Sequence, residues 1–183
     1  MSTPDATTTH YPAAPASERA ERHTLSVLVD NEPGVLARVI GLFAGRGYNI
    51  DSLTVTEVEH EKHLSRITVI TSGTPAVLQQ IKHQLERLVP VHRVRDLTEK
   101  GNTVQRELAL IKVCGKGEKR VEALRLAEIF RARVVDTSLE HFVFEMTGTP
   151  SKIETFLNLM IDVGLAEVSR TGVAAIGRGP ANS

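Results

Sequence analysis

The sequence predicts an α+β fold of two consecutive units, each running β-α-β-β-α-β, and three observations predict it. The decapeptide Ser72-Gly73-Thr74-Pro75-Ala76-Val77-Leu78-Gln79-Gln80-Ile81 returns further on as Thr147-Gly148-Thr149-Pro150-Ser151-Lys152-Ile153-Glu154-Thr155-Phe156. Such self-similarity marks a repeated structural unit. Strand-like and helix-like runs follow the same order in both halves. A polar stretch, residues 99–105, separates them.

In the first half, Leu25-Ser26-Val27-Leu28-Val29 alternates and is rich in β-branched residues, the pattern of a half-buried strand. Asp30-Asn31-Glu32-Pro33-Gly34 is a turn cluster. Val35, Leu36, Val39, Ile40 and Phe43 then step along one face of a helix, which Gly45-Arg46-Gly47 closes. Ile50 to Val58 and Leu64 to Thr71 are two strand-like runs joined by a charged hairpin. Thr74 caps a second helix and Pro75 opens it, with Val77, Leu78, Ile81, Leu85 and Leu88 on one side. Val89 to Leu97 is the last strand of this half.

The second half repeats the series. Leu108 to Val113 is a strand, and Val121, Leu124, Ala127, Glu128 and Phe130 fall in a helix. Val134-Val135 opens a strand, and Phe142 to Met146 is another, with Phe142 and Phe144 expected to pack under helices. The Pro150 helix places Ile153, Phe156, Leu157 and Met160 on one side, and a final strand lies near Val168 to Ile176. Two ferredoxin-like units account for this order. The expected division is a disordered tail at 1–22, a first unit at 23–98, a linker at 99–105, a second unit at 106–177 and a short tail at 178–183.

In such a unit two helices cover one face of a four-stranded sheet and leave the other open. Cores of about 75 residues are marginal, and open edge strands invite pairing. A homodimer is therefore expected on physical grounds.

Composition narrows the function. Lys plus Arg equal Asp plus Glu at 22 each, so the basic excess of a nucleic-acid or anionic-membrane binder is missing. Trp is absent, which leaves little for base stacking. The single cysteine, Cys114, excludes an intramolecular disulfide and a multi-cysteine metal site. At 183 residues the chain is too short for a large multi-cofactor enzyme. The first 22 residues contain no apolar core of a secretory signal, and Asp5, Glu18 and Glu21 oppose an organellar presequence, so the cytoplasm is the expected compartment. No apolar run is long enough to span a membrane.

The most informative segment is the first strand-to-helix turn. A helix beginning near Gly34 presents unpaired N–H groups and the positive end of its dipole, which suit a carboxylate or phosphate. Gly34 lets a ligand approach the main chain, and the Asn31 carboxamide can both donate and accept. Asn49, where the second strand is expected to begin, supplies another carboxamide. Val35, Leu36 and Ile50 offer an apolar wall for a small aliphatic side chain. On residue type alone a conformational reading is the commoner one, with Asn31 and Gly34 making a turn and Asn49 following a helix end.

Other motifs point less clearly to chemistry. His60-Glu61-Lys62-His63 is one residue short of the H-E-x-x-H zinc motif and falls in a hairpin. Cys114-Gly115-Lys116-Gly117 matches neither phosphate-loop pattern. Cys114 as a nucleophile, or Glu140 with His141 as an acid–base pair, would describe a small enzyme instead. Arg87, His92, Arg93 and Arg95 form a basic cluster expected on a solvated strand.

Residues 25–55 (LSVLVDNEPGVLARVIGLFAGRGYNIDSLTV) with 64–71 (LSRITVIT) resemble the small regulatory subunit of acetolactate synthase, also called acetohydroxyacid synthase. RELALIKV at 106–113, IFRARVVD at 129–136 and RTGVAAIGRG at 170–179 resemble its later half, so the likeness spans residues 23–179. Each unit is similar to an ACT domain, a ferredoxin-like module that binds small regulatory ligands. The resemblance implies a chain without catalytic residues that activates a separate catalytic subunit. That subunit would hold thiamine diphosphate, Mg²⁺ and FAD; no cofactor or metal is expected on this chain. It also implies feedback inhibition by valine at a site between two ACT units of a dimer, formed by Asn31, Gly34, Val35 and Leu36 on one side and Asn49 and Ile50 on the other. Residues 57–63 lack the short proline-containing acidic turn common in relatives. The stretch from Phe130 to Asp136 is shorter than its counterpart Phe43 to Asp51, which fits a second unit that serves assembly or signal transmission. A free-standing ACT sensor acting on another enzyme is the alternative.

Overall fold

A computed structural model describes residues 19–98 and 103–179. The first unit comprises β1 (Glu21–Asp30), α1 (Val35–Arg46), β2 (Ser52–Glu59), β3 (Leu64–Gly73), α2 (Pro75–Glu86) and β4 (Val91–Asp96). The second comprises β5 (Thr103–Cys114), α3 (Glu118–Phe130), β6 (Arg133–Thr137), β7 (His141–Gly148), α4 (Pro150–Val163), β8 (Leu165–Arg170) and β9 (Ala174–Gly177). The sheet orders are β2-β3-β1-β4 and β6-β7-β5-β8, with β9 beside the start of β5. Every pairing is antiparallel. These are two ferredoxin-like units, as the repeat predicts.

Strand alternation and helix periodicity meet in each core. Leu25, Val27 and Val29 of β1 and Ile67 and Val69 of β3 are buried against Val35, Val39 and Phe43 of α1 and Ile81 and Leu85 of α2. In the second unit Ala109, Ile111 and Val113 meet Phe142, Phe144 and Met146 and the α4 side chains Ile153, Phe156 and Met160. Phe144 and Phe156 stand edge to face, 6.3 Å between centroids. The hydroxyls of Thr74 and Thr149 accept from Val77 N and Lys152 N and cap α2 and α4.

Several boundaries differ from the sequence expectation, β4 among them, which begins at Val91 rather than Val89. β1 begins at Glu21, inside the expected tail, because Glu21 and Arg22 pair with Gly73 and Ser72 of β3. β5 begins at Thr103 rather than Leu108, because Thr103 to Arg106 pair with β9 and convert part of the expected linker into strand. The final strand is broken at Thr171-Gly172-Val173, where Gly172 takes φ +83°. Strand β2 begins at Ser52, leaving Asn49 and Ile50 in the preceding turn. Residues 1–18, 99–102 and 180–183, including most of both expected tails, lie outside the described residues.

Helix α3 buries Ala123 and Ala127, while Val121 and Leu124 are exposed. The two alanines allow the helix to pack closely against α4 in a core already filled by phenylalanines. Arg120 lies over the Phe142 ring, 3.8 Å from its centroid. No helix among the described residues is long and apolar enough to cross a membrane.

His23 ties β1 to β4 near the junction of the units. Its Nδ1 lies 2.5 Å from Asp96 Oδ2 and its Nε2 3.2 Å from Glu21 Oε2. Burial alone would depress the imidazole, but the bonds to Asp96 and Glu21 outweigh it and raise the group above its ordinary 6.5. The charged form is therefore favoured more in the folded chain than in the unfolded one. The stabilisation is complete below the ordinary value and disappears as pH climbs through the raised one. We predict that His23→Gln lowers the urea midpoint at about pH 6, and that the gap closes towards about pH 9. A gap independent of pH would contradict this.

Candidate functional site

The start of α1 lacks a side-chain cap. Gly34 precedes it in the left-handed conformation, φ +88°, and no acidic residue lies in the first turn. Arg38 N donates to Gly34 O at 3.0 Å, which closes the first turn. The preceding amides of Leu36 and Ala37 have no intrahelical acceptor by geometry and form a positively polarised end. A Cβ on Gly34 would meet nothing within 4 Å, so the approach is open. Asn31 is held by its main chain, whose N–H donates to His63 O at 2.6 Å, and its carboxamide is exposed. Leu36 is part-exposed on the same turn.

Val35 departs from the expectation. Its side chain is buried in the first core beside Val39 and Phe43, because it occupies the inward position of the first helical turn. Only its main chain can face a ligand, so the apolar wall at this end falls to Leu36.

The turn bearing Asn49 and Ile50 has its own bracing. Asn49 O accepts from Thr71 Oγ1 at 2.6 Å, and Asn49 Nδ2 donates to Asp51 Oδ1 at 2.5 Å. Asp51 also accepts from Ser72 Oγ at 2.8 Å and meets Arg22 Nε at 3.2 Å. With one of its two amide N–H groups engaged, Asn49 keeps its Oδ1 as an acceptor beside a carboxylate, which suits an ammonium group. Asp51, Ser72 and Arg22 were not singled out in the sequence, since their roles arise from strand pairing across the sheet.

The two groups do not meet within one chain. Asn31 bonds at His63 and Asn49 at Thr71, beside opposite ends of β3. Eight residues of strand place these points about 26 Å apart. α1, whose twelve residues span about 18 Å, separates them on the helical layer. One end offers donors and the other acceptors.

Most of the remaining candidates are engaged in local bonds. His60 and His63 flank the β2–β3 turn, where His60 Nδ1 meets Glu57 at 3.0 Å. Among the described residues no three His, Cys, Asp or Glu side chains are grouped to hold a metal. Cys114 is exposed at the end of β5, not packed as strand-end cysteines usually are, and His141 stands opposite it. The His141 ring is engaged elsewhere, by Ser138 Oγ at 2.7 Å and Asp136 Oδ2 at 2.9 Å. Ser138 Oγ also accepts from Glu140 N and His141 N, fastening the β6–β7 turn. Lys116 of the glycine-rich turn pairs with Glu140 at 3.5 Å. His92 of the basic cluster meets Asp30 at 2.5 Å.

Comparison with known proteins matches residues 25–93 to a family model described as an AHAS small subunit-like ACT domain, and residues 106–179 to one described as the small subunit of acetolactate synthase. The chain is 47% identical over 158 residues to a probable acetolactate synthase small subunit of Archaeoglobus fulgidus, covering 86% of this chain and 98% of that one.

The chain belongs to the acetolactate synthase small-subunit family.

It is also 45% identical over 159 residues to the acetolactate synthase isozyme 3 small subunit of Escherichia coli, covering 86% and 96% of the two chains. The crystal structure of the acetolactate synthase small subunit from Thermotoga maritima superimposes with a TM-score of 0.78 at 41% identity, covering 87% of this chain and 99% of that one. The matches to acetolactate synthase small subunits therefore extend through both units.

Proposed function

We propose that the chain is the regulatory subunit of an acetolactate synthase, activating a separate catalytic subunit and making it sensitive to valine. Thiamine diphosphate, Mg²⁺ and FAD belong, on this reading, to the catalytic partner in the cytoplasm. The regulatory chain acts as a homodimer and contributes no catalytic residue. Membership of the small-subunit family supports the partner.

The observation that carries the ligand is the complementary chemistry of two separated half-sites. The α1 start, with Asn31, Gly34 and Leu36, takes the carboxylate and part of the side chain of an α-amino acid. The turn of Asn49 and Ile50 from a second copy takes the ammonium and the rest. Antiparallel docking of two first units brings unlike ends together and lets a zwitterion bridge them. Valine inhibits because it favours the dimer arrangement that holds the catalytic subunit in its less active form.

A pull-down with the catalytic subunit, followed by assay with and without valine, tests both parts. Activation without valine sensitivity would remove the effector, and no association would remove the partner. Asn31→Ala should weaken valine binding in calorimetry by about tenfold, the loss of one hydrogen bond to a charged group. Unchanged affinity would exclude a direct contact.

A further inference from the structure

The second unit reaches back onto the first through four consecutive residues. Arg170 and Thr171 are fastened to the second unit. The Arg170 guanidinium makes two 2.7 Å bonds to the Glu107 carboxylate, and Thr171 N donates to Leu108 O at 3.0 Å. Gly172 turns the chain, and Val173 is bonded to the first unit. Val173 N donates to Ser52 Oγ at 3.0 Å, Val173 O accepts from Thr54 Oγ1 at 3.3 Å, and the residue is 2% exposed.

This contact falls on the sheet face opposite α1 and α2. Thr24, Thr68 and Ile70 are buried on that face, out of phase with the helix-covered Leu25, Ile67 and Val69. Ser52 stands opposite Ile70, and Thr54 opposite Thr68. The β5–β9 ribbon supports the same contact, with Gln105 Nε2 donating to Thr24 Oγ1 at 3.0 Å. The fit at the turn is close. A Cβ on Gly172 would lie 2.9 Å from Thr54 Cγ2 and 3.0 Å from Ser52 Oγ.

We propose that Arg170–Val173 is a latch coupling the Asn49–Ile50 half-site to the second unit. The assignment rests on the ligand reading above. Among the described residues β2 is an edge strand beside β3, and Asp51 alone separates its first residue from Asn49 and Ile50. A ligand that moves this turn moves Ser52 and Thr54 with it. Val173 must follow or lose its bonds, and Arg170, anchored on Glu107, passes the displacement to β5 and β8. Packed elements shift between discrete arrangements rather than stretching. By linkage, loosening the latch must also alter the half-site.

The experiment uses the full-length dimer with Gly172→Ala, which adds a methyl against Thr54 and strains the left-handed turn. Val173→Ala serves as a milder second variant should the first fail to fold. Without any effector, amide hydrogen exchange should quicken about tenfold at residues 50–54 and 173–177 together, with α1 and α2 unchanged. Faster exchange at 173–177 alone overturns the latch. With valine and the catalytic subunit present, the variant should bind valine in calorimetry yet need about ten times more of it for half-inhibition. Inhibition as strong as in the unmodified protein overturns the coupling. If valine does not bind the unmodified protein, the ligand assignment falls and the exchange result alone decides the latch.

Discussion

Gly34→Asp should leave activation of the catalytic subunit intact while abolishing its response to valine. The position has room for the substitution, since a Cβ there meets nothing within 4 Å. It adopts φ +88°, a region that Asp tolerates better than most residues, at a cost of about 1 kcal/mol. An acidic residue before a helix also favours the helix dipole, which offsets part of that strain. The same attraction makes the new carboxylate an internal substitute for that of the ligand. It would occupy the Leu36 and Ala37 amides and repel an incoming anion. A rise of at least about 100-fold in half-inhibitory valine is expected, equivalent to about 2.7 kcal/mol. Dose–response curves on the reconstituted enzyme check this. Retained sensitivity would move the ligand away from the α1 start.

The largest effect on stability is expected from Arg170→Ala. Glu107 is 4% exposed although it lies on a strand among core residues, and the Arg170 guanidinium engages both its oxygens. A second contact to Glu154 at 3.2 Å holds the same side chain. The hydrogen bonds to Glu107 push the guanidinium further above its ordinary value, against burial, which lowers it. Truncating the arginine strands a carboxylate out of water. Breaking such a pair costs about 3–5 kcal/mol, and the part-exposed arginine places this one near 3 kcal/mol. Urea unfolding of the second unit should show the loss. The double variant Glu107→Leu with Arg170→Met should recover most of it, because it buries no unpaired charge. Equal destabilisation by the double variant would mean that packing rather than charge dominates.

The parts of the fold set by nearest-neighbour patterns were legible in the sequence. Alternation in Leu25, Val27 and Val29 located β1, and the Thr-Pro pairs located the starts of α2 and α4. Elements fixed by distant partners were not. The beginning of β1 depends on β3, and the beginning of β5 on β9, neither of which leaves a local pattern in residues 21–22 or 103–106. Val121 and Leu124 look like core residues by type, yet α3 turns its alanines inward.

The candidate site was legible to the same extent. The turn of Asn31 and Gly34 ahead of a helix could be read directly from residue types and their order, whereas the lack of a side-chain cap needed the folded chain. The inward position of Val35 required the helix phase relative to the sheet. Asp51, Ser52 and Val173 needed the folded chain, since Val173 meets β2 across 121 positions of sequence.

The distance between Asn31 and Asn49 bears on how the effector behaves in solution. A crevice assembled from two protomers exists only while they are associated, so occupancy and self-association share one mass-action cycle. On the proposed site, diluting the protein lowers its apparent affinity for the amino acid, and adding the amino acid resists dissociation on dilution.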